Sequence, residues 1–151
     1  MTDARAVTET CAGTNMRLAA RRITRFLETR MQGAGLSLAQ FALMSHIAAA
    51  RDDTIAALAD RMELDQSTLS RNLRGLEKAG LVELVLVERD LRRRAVWLTE
   101  KGARQLEAAM PAWRTAHEAL SEVVSPQAMA GLVASTAVLA ELEDGKVAVN
   151  Q

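Results

Sequence analysis

Apolar residues recur at helical spacing in the first third of the chain. Gly33 and Gly35 interrupt this period, so it predicts one helix before them and a second after them. Ser37 followed three residues later by Gln40 has the form of a capping box, which marks the start of the second helix. The stretch from Met1 to about Cys11 is polar and has no period, and we expect a frayed end there. The apolar positions of the first helix are Met16, Ala19, Ala20, Ile23, Phe26 and Leu27.

The middle of the chain predicts two short helices followed by a hairpin. The candidate caps of the third helix are Asp52, Asp53 and Thr54. A fourth helix begins near Asp65 and stops at Gly80, a residue suited to the left-handed conformation just past a helix end. Then Leu81–Val87 is rich in Val and Leu, Glu88–Arg94 is charged and Ala95–Leu98 is apolar. This order predicts strand, loop and strand.

The predicted fourth helix has two different faces. At 100° per residue its leucines form a narrow apolar stripe, and polar and basic side chains project from the opposite side. The leucines are Leu69, Leu73 and Leu76, and the opposite side carries Ser67, Ser70, Arg71, Arg74 and Lys78. An ordinary solvated face is the alternative interpretation, but the adjacent arginine-rich hairpin favours an anionic partner.

These elements together predict a winged helix-turn-helix, a fold that is mainly α with a small β-hairpin wing. Its second short helix can enter the major groove of DNA, and the hairpin tip can lay arginine into the narrower minor groove. Beyond the hairpin, Thr99 can cap a long fifth helix, and Ser125 followed by Pro126 marks the start of a sixth.

The charge distribution agrees with this fold although the net charge is zero. A zero sum argues at first against nucleic acid, because affinity for DNA comes largely from neutralised phosphates. Residues 61–104, however, hold ten Lys and Arg against seven Asp and Glu, whereas residues 105–151 hold two against six. Residues 89–104 alone hold six positive and two negative side chains. Positive charge is therefore concentrated at the predicted hairpin.

Composition argues against several other classes of protein. A single cysteine, Cys11, cannot form an intramolecular disulfide, and with only His46 and His117 beside it there is no cluster at zinc spacing, so we expect no metal and no cofactor. Both histidines are interpreted as packing or surface residues, and Trp97 and Trp113 as packing residues. No run approaches the roughly 20 apolar residues of a membrane span, and no secretory signal is recognisable, so we expect a cytoplasmic protein. No pattern of nucleophile and base, clustered carboxylates or phosphate loop indicates an enzyme.

Three motifs resemble the MarR family of transcriptional regulators. The segment Asp65-Gln66-Ser67-Thr68-Leu69-Ser70-Arg71-Asn72-Leu73, continued by Leu76-Glu77-Lys78-Ala79-Gly80-Leu81-Val82, is similar to the recognition-helix signature of that family. Asp90 and Arg92 occupy its Asp-x-Arg wing motif. Leu98-Thr99-Glu100-Lys101-Gly102 resembles its Leu-Thr-x-x-Gly exit into the next helix. The resemblance covers roughly residues 15–142.

The resemblance implies a single domain over residues 1–151 that forms a homodimer. Residues of about 37–99 would form the DNA-binding lobe, and about 12–32 and 100–143 the dimerisation helices. It further implies a ligand-responsive repressor that binds a pseudo-palindromic operator in double-stranded DNA. A small effector, phenolic or aromatic, would lower its affinity for DNA, and no membrane would be involved.

The resemblance also assigns residue roles. Arg92 would be the minor-groove arginine, oriented by Asp90 through a charge-assisted hydrogen bond, and Arg93 and Arg94 would add phosphate contacts. Leu86–Val87 stands where such wings are often polar, which indicates a longer strand or a stiffer wing. The implied major-groove residues are Gln66, Ser67, Thr68, Ser70, Arg71 and Arg74.

Two alternatives stay open at the level of sequence. One is a protein-protein interaction module on the same fold without DNA binding, which a salt-insensitive affinity for a protein would reveal. The other is a redox-sensing regulator, because several peroxide sensors of the family place a reactive cysteine near the start of the first helix. Cys11 is displaced by about two residues from that place, and the chain has no tyrosine to hold a reacting sulfur. We therefore expect that Cys11 is not the main switch.

Overall fold

The structure, a computed structural model, describes residues 2–50, 54–87 and 90–143. It is mainly helical with a two-stranded antiparallel hairpin, as the sequence predicts. The chain divides into two compact units, one up to Ala116 and one from His117 on. In chain order the elements are α1 (Thr2–Thr10), α2 (Ala12–Arg30), α3 (Leu38–Ala49), α4 (Ile55–Arg61), α5 (Gln66–Lys78), β1 (Val82–Val87), β2 (Asp90–Leu98), α6 (Glu100–Ser121) and α7 (Pro126–Glu143).

The start of the chain corrects one expectation. The polar stretch before Cys11, predicted to be frayed, forms the helix α1. It contains neither glycine nor proline, and it includes alanine, arginine and glutamate, which have good intrinsic helix propensity. Periodicity alone missed this helix because it carries no apolar stripe.

The predicted caps are present wherever the structure describes them. Ser37 and Gln40 form the capping box of α3: the Gln40 N–H donates to Ser37 Oγ at 3.2 Å, and the Ser37 N–H donates to Gln40 Oε1 at 2.9 Å. Thr54 caps α4 by accepting from the Ala57 N–H at 3.2 Å, whereas Asp52 and Asp53 lie outside the described residues.

The caps of the two last helices are also as predicted. Thr99 Oγ1 accepts from the Gly102 N–H at 3.0 Å in the first turn of α6. Ser125 Oγ accepts from the Ala128 N–H at 3.3 Å in the first turn of α7. Each side chain satisfies one of the backbone donors that a helix leaves unpaired at its start.

The core of the first unit lies where α3, α4 and α5 pack together with the hairpin. Trp113 of α6 stacks on Phe41 of α3 with ring centroids 5.8 Å apart, which confirms Trp113 as a packing residue. The same interpretation is wrong for Trp97, which is 41% exposed and lies opposite the exposed Glu83 of β1. The largest fully buried side chains are Met44, Leu58, Leu69, Leu73 and Leu76.

The second strand of the hairpin begins earlier in the chain than predicted, at Asp90 instead of Ala95. Pairing is regular from Val82↔Leu98 to Leu86↔Arg94 and then shifts to Val87↔Asp90, so residues 91–93 are inserted on the second strand. The expectation that residues 88–94 form a loop is therefore wrong for 90–94, which belong to β2. The apolar Leu86 and Val87, which pair with this segment, account for the extension.

The junction between α5 and the hairpin is held by side chains from the start of α6. Gly80, with φ of +70°, ends the helix as predicted. The Thr99 hydroxyl donates to the Gly80 carbonyl at 2.7 Å, and Lys101 Nζ donates to the Ala79 carbonyl at 2.7 Å. The Leu-Thr-x-x-Gly motif therefore ties the end of α5 to the base of the wing.

The second unit contains α7, whose surface carries large apolar side chains. Val133 is 68% exposed and Leu139 is 54% exposed, and Val123, just before the helix, is 79% exposed. Among the described residues, no single helix combines the length and the hydropathy of a membrane span; only the consecutive helices 100–121 and 126–139, counted together, do so.

Candidate nucleic-acid interface

The turn between α4 and α5 has the tight geometry that a helix-turn-helix needs. Glu63 adopts a left-handed backbone with φ of +49°, and the Leu64 N–H donates to the Ala59 carbonyl at 2.9 Å. A non-glycine residue in this region costs on the order of 1 kcal/mol, so the surrounding contacts must hold it there. The turn delivers the chain to Asp65, the N-cap of α5.

The helix α5 presents the two faces that its sequence predicts. The three leucines of the apolar stripe are buried at its inner side. Arg71 and Arg74 are exposed, and so are Gln66 and Ser67 in the first turn. Thr68 and Ser70 are half-buried and lie at the edges of this face. The structure therefore places all six predicted major-groove residues on one helix, with four of them open to a partner.

Asp65 forms a compact network with the first turn of α5. The Ser67 hydroxyl donates to Asp65 Oδ1 at 2.6 Å, and the Thr68 hydroxyl donates to Oδ2 at 2.7 Å. The Thr68 N–H also donates to Oδ1, at 2.8 Å. These hydrogen bonds, that of the Ser67 hydroxyl most strongly, hold the pKa of Asp65 well below its ordinary range. The sequence predicts that the helix begins near Asp65, but Asp65 itself was not among the predicted site residues.

A groove of about 350 Å³ with a mixed, mainly apolar lining lies beside the exposed face, between the start of α3 and the middle of α5. Its polar walls are Ser37 and Gln40 on one side and Arg71 and Asn72 on the other. Gly75 also lines it, and a Cβ atom on Gly75 would have open space around it. No sequence signal joins these residues, since the two helices are about 30 positions apart in the chain.

The predicted wing residues lie at the far end of the hairpin. The backbone of Asp90, Arg92, Arg93 and Arg94 belongs to β2, next to the turn of the hairpin. Their side chains are outside the described part of the structure, and so is the proposed hydrogen bond between Asp90 and Arg92.

Cys11 lies at the N-cap of α2, directly before the helix start that the sequence predicts at about residue 12. Its side chain makes no well-formed capping hydrogen bond. Polar neighbours nevertheless lower the pKa of the thiol, the Thr14 hydroxyl contributing most and the Thr14 N–H next, while Arg17 adds a smaller electrostatic effect. The predicted packing or surface histidines, His46 and His117, are both half-buried.

This chain is similar to known proteins in both sequence and fold. Residues 34–93 match the model of the MarR family. The transcriptional regulator MosR of M. tuberculosis, solved in complex with DNA, is 28% identical with a TM-score of 0.78, over 87% of this chain and 97% of that one. No protein in a search of curated sequences matches significantly.

More distant structures share the fold. A mutant of MarR from E. coli, solved with operator DNA, is 23% identical over 88% of this chain and 96% of that one, with a TM-score of 0.76. The regulator PcaV from Streptomyces coelicolor, solved with its natural ligand, is 19% identical over 89% and 94%, with a TM-score of 0.75. At these identities the likeness shows the fold alone.

The helix-turn-helix, the wing and these comparisons define a winged-helix transcriptional regulator. The recognition made from the sequence motifs is confirmed: residues 34–93 match the MarR family model, and the similar solved structures are transcriptional regulators of that type. Members of this family are transcription regulators rather than enzymes.

Proposed function

We propose that this chain is a ligand-responsive repressor that binds a pseudo-palindromic DNA operator as a homodimer in the cytoplasm. Residues 37–99 form the DNA-binding lobe of one domain, and residues 12–32 and 100–143 the dimerisation helices. The observation that carries the proposal is the exposed polar and basic face of α5 opposite its buried leucines.

The chemistry of that face suits the major groove. Residues in the first turn of a recognition helix contact base edges, and arginine pairs with guanine through two hydrogen bonds to O6 and N7. Arg71 and Arg74 are exposed on α5 and free to extend toward a duplex. Lys78, exposed one turn after Arg74, adds positive charge for a phosphate.

The wing supplies the second contact. Asp90 and Arg92 are the Asp-x-Arg pair, and Arg92 enters the minor groove while Arg93 and Arg94 meet phosphates. A narrow minor groove concentrates negative potential and attracts an inserted guanidinium. The extension of β2 supports this role, because Asp90 and Arg94 pair with β1 and hold the inserted residues 91–93 between them at the end of the hairpin.

Dimerisation is supported by the apolar surface of the terminal helices. Val133, Val138 and Leu139 of α7 are exposed, and so is Met16 of α2. Several large apolar side chains exposed on one helix, as on α7, are typical of protein-protein contacts. A homodimer would present two copies of α5 about 34 Å apart, one turn of DNA.

A small aromatic or phenolic effector is the proposed signal. It would act by binding the DNA-incompetent arrangement of the two recognition helices more tightly than the competent one. The structure of PcaV with its natural ligand supports ligand control on this fold.

The test is selection of bound fragments from a random DNA pool, followed by titrations at fixed salt. Arg71→Ala and Arg74→Ala should each weaken operator binding by about 1–3 kcal/mol. Arg5→Ala, which removes an exposed arginine of α1 outside both proposed regions, is the matched control and should bind normally. Normal binding by both α5 variants would mean that this face does not read DNA. Light scattering should give a dimer at micromolar concentration, and a monomer would contradict dimerisation.

A second candidate is redox control through Cys11. It is favoured by the N-cap position and the lowered pKa of the thiol, since the thiolate is the form that oxidants attack. We place it second for two reasons. The chain has no other cysteine with which Cys11 could form a disulfide, and it has no tyrosine whose hydroxyl could stabilise a sulfenate on Cys11.

A further inference from the structure

The first turn of α5 holds two hydroxyl groups whose hydrogen atoms are already committed. A serine or threonine hydroxyl has one hydrogen to donate and two lone pairs to accept with. The Ser67 hydrogen is donated to Asp65 Oδ1 and the Thr68 hydrogen to Asp65 Oδ2, at 2.6 and 2.7 Å. What each hydroxyl can offer to a partner outside the protein is therefore lone pairs only.

The hydrogen bonds from Ser67 and Thr68 to Asp65 are strong enough to persist when the protein binds DNA. Hydrogen bonds to an ionised acceptor are roughly twice as strong as neutral ones. The carboxylate of an aspartate is charged at neutral pH, and the lowered pKa of Asp65 is caused by these same hydrogen bonds, so both bonds have this character. The carboxylate also accepts from the Thr68 N–H at 2.8 Å, which holds it at the helix start.

We propose that Asp65 is a specificity-determining residue, which restricts Ser67 and Thr68 to accepting hydrogen bonds and so directs the first turn of α5 to bases with a major-groove amino group. Such bases are adenine, through N6, and cytosine, through N4. The keto oxygens of guanine and thymine, the N7 atoms of purines and the phosphates offer only acceptors, which these hydroxyls cannot satisfy. This inference rests on the proposed DNA-binding function of α5.

The next turn of the helix has the opposite character. Arg71 is four residues after Ser67, on the same side of α5, and its guanidinium can only donate. Guanine is its best partner. Each half-site should therefore contain an adenine or cytosine, read by the acceptor turn, next to a guanine read by Arg71.

The decisive variant is Asp65→Asn, with Ser67→Ala as its comparison. Asparagine is as good an N-cap as aspartate, so α5 should stay folded, and circular dichroism checks this. Its amide nitrogen donates, however, and one of the two hydroxyls must then accept from it and regain a free hydrogen. Ser67→Ala removes a hydroxyl without creating a donor.

Both variants and the wild type are put through selection from a random DNA pool. The wild type should enrich adenine or cytosine at one position of each half-site by about tenfold over the other bases. Asp65→Asn should extend that preference to guanine or thymine, whereas Ser67→Ala should weaken it without any gain for those bases.

A second measurement tests the amino group itself. Purine in place of adenine, or 2-pyrimidinone in place of cytosine, removes the amino group from the base. This replacement should weaken DNA binding by the wild type about tenfold. It should not change DNA binding by Ser67→Ala or Thr68→Val, whichever variant lacks the hydroxyl that accepts from the amino group. An unaltered base preference in Asp65→Asn, or equal losses in all proteins with the analogue, would overturn the role of Asp65. Failure of the wild type to select any sequence would instead overturn the proposed function.

Discussion

Gly102, in the first turn of α6, lies directly against the carbonyl oxygen of Leu81, the residue that connects the recognition helix to the wing. A Cβ atom on Gly102 would overlap that oxygen. The same carbonyl accepts from the Thr99 N–H at 3.1 Å, so it is held in place. This contact gives the glycine of the Leu-Thr-x-x-Gly motif a physical reason, namely the close approach of α6 to the backbone at the base of the wing.

Gly102→Ala should therefore destabilise the protein. Overpacking against fixed backbone costs about 1–3 kcal/mol in the free energy of unfolding. Urea denaturation monitored by circular dichroism measures this. Gly13→Ala in α2, where a Cβ atom meets nothing within 4 Å, is the control and should be neutral or slightly stabilising. Equal stability of the two variants would contradict the close contact.

Glu63→Gly should stabilise the protein by roughly 0.5–1 kcal/mol. Glycine adopts the left-handed conformation of this turn without the steric cost that glutamate carries, which outweighs its greater freedom in the unfolded chain. Glu63→Ala removes the same charge but keeps the Cβ atom, and it should bring no gain. Thermal and urea unfolding of the three proteins decide the matter; a stabilised alanine variant would point to charge rather than backbone strain.

Gly75→Ala should separate stability from DNA binding. Alanine in the middle of α5 should raise the free energy of unfolding by up to about 1 kcal/mol, because glycine is a poor helix former and the added methyl group meets open space. The methyl group would narrow the groove next to Arg71, on the proposed DNA-binding face of α5. Operator affinity should fall about tenfold. Unchanged affinity in the stabilised variant would show that DNA does not enter this groove.

Arg92→Ala should reduce affinity most for operators with A·T-rich flanks, since their narrow minor groove attracts an inserted guanidinium. Asp90→Ala should reproduce part of the loss by freeing the orientation of that arginine. Arg93→Ala is the comparison, and as a phosphate contact it should weaken all operators alike. Mobility shifts on A·T-rich and G·C-rich flanks distinguish the cases, and equal losses for Arg92→Ala would make it a plain phosphate contact.

Cys11→Ser should retain both DNA binding and the response to effector. The thiol has a lowered pKa, but a reversible disulfide would need a partner subunit or a small thiol because the chain has no second cysteine. The measurement is a mobility shift of wild type and variant, each with and without peroxide. Release of the wild type by peroxide, with Cys11→Ser still bound, would show that the protein is a redox sensor.

The features predictable from the sequence are those that depend on neighbours within a few positions. The capping box of Ser37 and Gln40, the glycine stop at Gly80 and the leucine stripe of α5 are all of this kind. Hydrogen bonds at helix ends and one-sided burial require only local spacing, so the helix-turn-helix, the wing and the exposed face of α5 could all be predicted. The helix α1 was not predicted, because a segment with good helix propensity but no apolar stripe shows no hydrophobic period.

What the tertiary structure decided depends on groups brought together from separate elements or on the direction of single hydrogen atoms. The groove that joins Gln40 to Arg71 exists because α3 and α5 pack at a particular distance. The exposure of Trp97 follows from which face of the hairpin meets the core, and the register shift after Leu86 from pairing between strands. The donation of the Ser67 and Thr68 hydroxyls to Asp65 needs side-chain rotamers, which residue spacing alone does not specify.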